Sequence, residues 1–291
     1  MIKNLFLNVG AMKAGTSWLY EQLKNHPDIY SLPIKESHYF ANVTGQFDFI
    51  WHERRVKWFF DAINEKSFDE FKDNLDAILW YANFSKNTVV NDEWYQSLFK
   101  NSQKKYCADF CNLNANLNEE GWRRVRQNFS GKLKVTYCLR DPLKRAWSHY
   151  KFDLQFNGCE SEALNFKKLK AFFNDEATIK IARYDLAIER LRKHLSDDEF
   201  KIFYFEDFHE SPQSTLNEIC DFLEISKISR KDSDLKEVIN PSKNIAMTAE
   251  IEDFLMDYLS PIYVKLDQMG MIHPSWRKFS AKSELLSTDQ D

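Results

Sequence analysis

The stretch Val9-Gly10-Ala11-Met12-Lys13-Ala14-Gly15-Thr16-Ser17-Trp18 constrains this chain more than any other. A short apolar segment, Leu5 to Val9, precedes it, and an amphipathic segment, Leu19 to Leu23, follows. Apolar run, glycine turn and amphipathic run read as strand, turn and helix. Gly10 and Gly15 let the backbone turn tightly and approach a ligand closely. The N–H groups that open the helix, together with its dipole, favour an anion in the turn, most often a phosphate. Lys13 adds a full positive charge inside the turn, and Thr16 and Ser17 add hydroxyl donors.

The two glycines have the spacing of a Walker A loop, but the lysine lies two positions before the second glycine and Thr16 follows it. A kinase-like reading also needs an aspartate closing a strand. Here Leu139 leads to Arg140 before Asp141.

The anion must be held locally, because the net charge of the 291 residues is −4. That balance argues against a general nucleic-acid or anionic-membrane binder. Hydrophobic residues make up 43%, enough for a sizeable core, and 7 Gly with 7 Pro leave no linker-rich stretch. The five cysteines are odd in number and lack disulfide-framework spacing, which fits a reducing compartment. Cys107 and Cys111 are four apart with no second Cys/His pair nearby in sequence, so no metal site is expected. The N-terminal apolar run is too short for a signal or membrane segment, and a cytoplasmic location is expected.

Along the chain, Pro27 closes the first helix and Ile29 to Leu32 reads as a second strand. In a parallel sheet the carboxyl ends of strands face the ligand crevice. Glu36 and His38, in Pro33 to Phe40, therefore sit where chemistry is expected. Residues 42–104 are helical in period and rich in aromatics. Phe68, Phe71, Leu75 and Leu79 recur as one helix face would. Core packing is the simpler reading of these aromatics; a lid or acceptor wall is the functional one. Tyr106 to Ala108 reads as a third strand, Glu119 to Phe129 as a helix and Leu133 to Leu139 as a strand. That last strand runs into Arg140-Asp141-Pro142-Leu143-Lys144-Arg145-Ala146-Trp147-Ser148-His149-Tyr150. Asp141 suits a helix cap and Pro142 its first turn. Arginine suits phosphate because its planar fork donates two hydrogen bonds at once. Downstream, Ile179 to Leu195 reads as a helix, Phe200 to Phe205 as a strand, and Pro212 to Leu223 and Ile251 to Met269 as helices. Residues 281–291 read as a frayed polar tail.

Lys13-Ala14-Gly15-Thr16-Ser17-Trp18 resembles the 5′-phosphosulfate loop of sulfotransferases, and Arg140 to Tyr150 resembles the 3′-phosphate motif of the same superfamily. The resemblance spans roughly residues 3 to 276, weakest over 42–90. It implies a P-loop-like α/β fold: a central parallel sheet flanked by helices on both faces, three layers in one domain over residues 1–280. It implies 3′-phosphoadenosine 5′-phosphosulfate as donor, no metal, and a small-molecule or glycan acceptor. Lys13, Ala14, Gly15, Thr16 and Ser17 would then hold the 5′ side. Trp18 matches a position that stacks on adenine in some members, and Arg140 and Ser148 would hold the 3′-phosphate. Lys35-Glu36-Ser37-His38-Tyr39-Phe40 looks like the heparan and carbohydrate branch, whose base is a glutamate. That points to Glu36, with His38 as the alternative. The Thr-His-x-Pro context of the cytosolic small-molecule enzymes is absent. Lys243, in Asn240-Pro241-Ser242-Lys243, lies where members place a donor-covering loop. One departure stands out. The heparan-type lysine after the third strand has no counterpart in Ala108-Asp109-Phe110-Cys111-Asn112. A non-catalytic nucleotide-binding relative is the reading to weigh against an enzyme.

Overall fold

The computed structural model describes residues 1–46, 50–64, 75–86, 88–100, 102–236, 239 and 243–276. Five strands form its sheet: β1 Leu5–Asn8, β2 Ile29–Ser31, β3 Tyr106–Phe110, β4 Leu133–Leu139 and β5 Phe200–Tyr204. All neighbours are parallel, in the order β2-β3-β1-β4-β5. Every residue of β1, β3 and β4 is buried. Burial on alternate faces of the same strand requires cover on both sides, and the helices supply it. The result is the expected three-layer α/β/α arrangement.

The topology positions the site. From β1 the chain crosses to β2 on one side, and from β3 it returns past β1 to β4 on the other. The crevice at the carboxyl ends of β1 and its neighbours is the switch point where α/β sheets bind ligands. Backbone bonds pin the start of the glycine turn to β4: Val9 N to Thr136 O at 3.0 Å, Ala11 N to Cys138 O at 3.0 Å and Cys138 N to Gly10 O at 2.7 Å.

Helix α1, Thr16–Leu23, starts at Gly15, whose φ of 87° is left-handed. A Cβ there would also lie 2.7 and 2.8 Å from Phe208 ring carbons. Both backbone and space therefore demand glycine. The helix Pro142–Phe156 starts as its sequence foretells, with Asp141 accepting from Leu143 N at 3.0 Å.

Two expectations need correction. The third strand extends to Phe110, which carries Asp109 into the sheet and buries it completely. The helix expected over Ile179 to Leu195 is two, Glu176–Ala182 and Tyr184–His194. Arg183 breaks it with φ −78° and ψ 78°, and its guanidinium pairs with Asp185 at 2.6 Å. A single-residue break preserves the apolar period, so the pattern hid it; Leu186 is exposed. The aromatics of 42–104, for which core packing is the simpler reading, divide. Trp80, Trp94, Tyr95 and Phe99 are core, whereas Trp51 and Phe60 are exposed. Leu75 and Leu79 are exposed too, and Phe68 and Phe71 lie outside the described residues. Residues 240–242 and the 281–291 tail also lie outside them. Among the described residues no helix is long and apolar enough to cross a membrane.

Candidate active site

Every strand delivers a polar group to one end of the sheet. Lys13 follows β1, Glu36 and His38 follow β2, Cys111 and Asn112 follow β3, Arg140 follows β4 and Glu206 follows β5. No side chain caps the start of α1. Its first N–H groups therefore open onto the turn.

Four cations gather at this turn. Lys13 feels Arg140, Lys35 and Lys151. Burial and then these three positive neighbours push its ammonium down to about 8. Its Nζ also lies 4.6 Å from the ring centroid of Phe152. Burial, with Arg140 next, lowers Lys151. His149 is pushed down to about 3 by burial and then by Arg145 and Lys13, so its ring stays neutral. Such crowding of positive charge is unfavourable in the free protein and favourable once a polyanion arrives.

Arg140 joins the two motifs. One terminal nitrogen donates to the carbonyl of Lys13 at 3.0 Å, and the guanidinium lies 4.2 Å from the ring centroid of Phe205. Its buried Nε has no protein partner. Tyr184 supports it from below, donating to the Arg140 carbonyl at 3.2 Å. Ser148 is buried on the facing helix.

The acidic half of the site is equally defined. Glu36 N donates to Phe110 O at 2.8 Å, anchoring the turn to the end of β3. The Glu36 carboxylate accepts from Asn112 Nδ2 at 2.6 Å and from Lys35 Nζ at 3.4 Å. Its other oxygen lies 3.7 Å from His38 Nε2. His38 Nδ1 in turn lies 3.5 Å from Cys111 Sγ. Burial lowers the imidazole's proton affinity, with Glu36 pulling the other way. Between them, Ser37 Oγ donates to buried Asp109 at 2.5 Å, and Tyr95 donates to the same oxygen at 3.1 Å. Burial pushes Asp109 up to about 6, against those two bonds.

The backbone marks the same three residues. Among the described residues, four non-glycines adopt positive φ: Lys13 at 65°, Glu36 at 76°, His38 at 54° and Glu224 at 55°. Such conformations cost about 1–2 kcal/mol each and concentrate at functional sites.

The matching family of known proteins is described as "Sulfotransferase domain", and it matches residues 4–244. This chain belongs to the sulfotransferase domain family. Three solved structures share its architecture. The sulfotransferase from Alicyclobacillus acidocaldarius is 20% identical, with a TM-score of 0.65 over 95% of this chain and 100% of that one. The sulfotransferase domain from the curacin biosynthetic pathway is 13% identical, TM-score 0.51, covering 97% and 98%. The sulfotransferase domain of the Synechococcus PCC 7002 olefin synthase is 13% identical, TM-score 0.51, covering 94% and 96%. No curated protein sequence gives a significant match.

Within this sulfotransferase, Lys13, Ala14, Gly15, Thr16 and Ser17 lie together in the turn that Arg140 closes from β4. Two expected residues are placed differently. Trp18 is buried, stacked on Phe208 at 4.7 Å, with Nε1 donating to Leu235 O at 2.9 Å. It packs as core rather than presenting an open face to a base. The Lys243 ammonium pairs with Glu160 at 2.9 Å, while its carbonyl accepts from Lys151 at 2.9 Å. Sequence reasoning missed Lys151 and Asn112. Lys151 follows Ser148 by three and shares its helix face, a signal that was available. Asn112 stands, in the sequence, only as the end of the stretch that lacks the heparan-type lysine.

Proposed function

We propose that this sulfotransferase moves the sulfuryl group of 3′-phosphoadenosine 5′-phosphosulfate to an acceptor hydroxyl or amine by in-line displacement. The observation that carries this is the convergence of Lys13, Lys35, Arg140 and Lys151 on one glycine turn. The donor's charges fit that set, as does the unpartnered Nε of Arg140. When bound, the donor supplies an activated sulfuryl group. Lys13 neutralises charge that builds on the leaving phosphate, the largest electrostatic task in such a transfer. Thr16, Ser17 and the opening N–H groups of α1 hold the 5′-phosphate. Arg140 and Ser148 hold the 3′-phosphate, and Lys151 adds a further charge beside Arg140.

Glu36 takes the acceptor's proton. Asn112 fixes one carboxylate oxygen and leaves the other toward His38 and the crevice. Asn112 stands in the stretch where heparan-type enzymes carry a lysine, so a neutral amide takes over the positioning. His38 is the alternative base. The acceptor belongs to the carbohydrate, glycolipid or small-metabolite class, with exposed Trp51 offering a ring surface at the edge of residues 42–104.

The test is calorimetric binding of adenosine 3′,5′-bisphosphate beside ATP and ADP, without magnesium. Preference for the bisphosphate is the expected result. Equal binding of ATP would overturn the roles of Arg140 and Ser148 and favour a kinase-like transferase. Bisphosphate binding with no turnover over a broad acceptor screen would favour a non-catalytic relative.

A further inference from the structure

Cys111 is fully buried, yet its sulfur lies 3.5 Å from His38 Nδ1 and the proposed sulfuryl transfer gives it no role. One ligand atom from each of Glu36, His38 and Cys111 lies within 4.8 Å of the other two. We propose that these three residues form a binding site for a soft divalent cation of the zinc class, whose occupation silences the enzyme by capturing Glu36.

The donor set of sulfur, nitrogen and carboxylate oxygen is the one zinc takes. A tetrahedral zinc with bonds of about 2.3 Å to sulfur and about 2.0 Å to nitrogen sets those atoms about 3.5 Å apart. Cys111 Sγ and His38 Nδ1 are 3.5 Å apart already. The Glu36 oxygen that Asn112 does not hold lies 3.7 Å from Nε2, at the other edge of the ring, and completes the set by a small movement of the two side chains.

The surroundings hold the ligands in place. Asn112 orients the Glu36 carboxylate. Ser37, between Glu36 and His38 in the chain, is tied to Asp109, which is held again by Tyr95. Outer partners of this kind orient metal ligands and typically change affinity 10–100-fold when removed. Glu36 and His38 are partly open to the crevice, which provides entry and a fourth coordination position. The nearby Lys35 and Lys13 oppose a hard cation held by charge alone, such as magnesium or calcium. A cation bonded through sulfur and nitrogen is less dependent on that field.

Binding replaces the thiol proton of Cys111 with the metal and releases that proton to solvent. No electron moves. The silencing rests on Glu36 being the base; the site itself does not.

The experiment titrates the metal-free, full-length protein with Co²⁺ and then Zn²⁺. The expected result is a thiolate-to-cobalt charge-transfer band that zinc abolishes. Cys111→Ser removes the band and weakens zinc at least tenfold, while Cys159→Ser, at a more accessible thiol, retains it. Should Cys111→Ser fail to fold, His38→Gln serves instead, with zinc affinity falling by a similar factor. No band in the native protein, or a band that survives Cys111→Ser, overturns the site. With the site established, zinc stops release of bisphosphate from the phosphosulfate donor and leaves calorimetric bisphosphate binding unchanged. Metal binding with undiminished turnover overturns the silencing and the assignment of Glu36 as base.

Discussion

Arg140 donates through its guanidinium to the backbone carbonyl of Lys13 at 3.0 Å, joining two motifs 127 positions apart. Arg140→Lys keeps the charge but loses the fork and this bond. Bisphosphate affinity should fall about 10–100-fold, the value of a charge-assisted hydrogen bond of about 1.5–3 kcal/mol. Affinity for adenosine 5′-monophosphate should change little. Calorimetry with both ligands checks the difference, and equal losses would remove Arg140 from the 3′ side.

On the proposed function, Lys13 should carry the pH dependence of donor binding. Its folded value, about 8, lies below the ordinary 10.5. Between those values the unfolded chain binds the extra proton, so this residue makes the free protein more stable as pH rises through that window. The donor needs the charged form. Bisphosphate affinity should therefore weaken as pH rises above about 8, by up to tenfold per unit for one linked proton. A Lys13→Arg variant should flatten that decline, and a calorimetric pH series would show it. A decline persisting unchanged in the variant would assign it to another group.

Gly15→Ala should destabilise the fold. The new Cβ meets Phe208 at 2.7 Å on a backbone at φ 87°. Strain and overpacking together should remove about 2–4 kcal/mol. That corresponds to a fall in Tm of several degrees for a domain of this size. Urea unfolding gives the same quantity independently.

Asp109 is a buried acid whose folded value, about 6, lies above 3.8. Here the sign reverses. The folded state binds the extra proton between those values, so this contribution is present below about pH 4 and is lost as pH rises through 6. The loss is on the order of 2–3 kcal/mol. Asp109→Asn should flatten the slope of unfolding free energy between pH 4 and 6. An unchanged slope would place the titration elsewhere.

What the sequence made legible was local. The strand, turn and α1 are consecutive, and so are β4, Arg140 and the helix that Asp141 caps. Glu36 and His38 could be placed at the crevice because parallel strands present their carboxyl ends there. What stayed hidden depends on distant chain segments. Asn112 reaches Glu36 across 76 positions, and Cys111 reaches His38 across 73. No periodicity encodes such pairs. Trp18 shows the same limit, because Phe208 and Leu235, which bury it, lie far along the chain. Lys243 shows another: its position was readable, but the direction of its side chain depends on Glu160.

The left-handed backbone at Lys13, Glu36 and His38 has a consequence for descent. At each position glycine would relax the turn and remove the side chain that the proposed function uses in one change. A lineage released from the need to transfer sulfate would therefore gain sturdiness by drifting toward glycine there. If the proposed chemistry runs through these three positions, selection must defend it against a simpler and calmer chain.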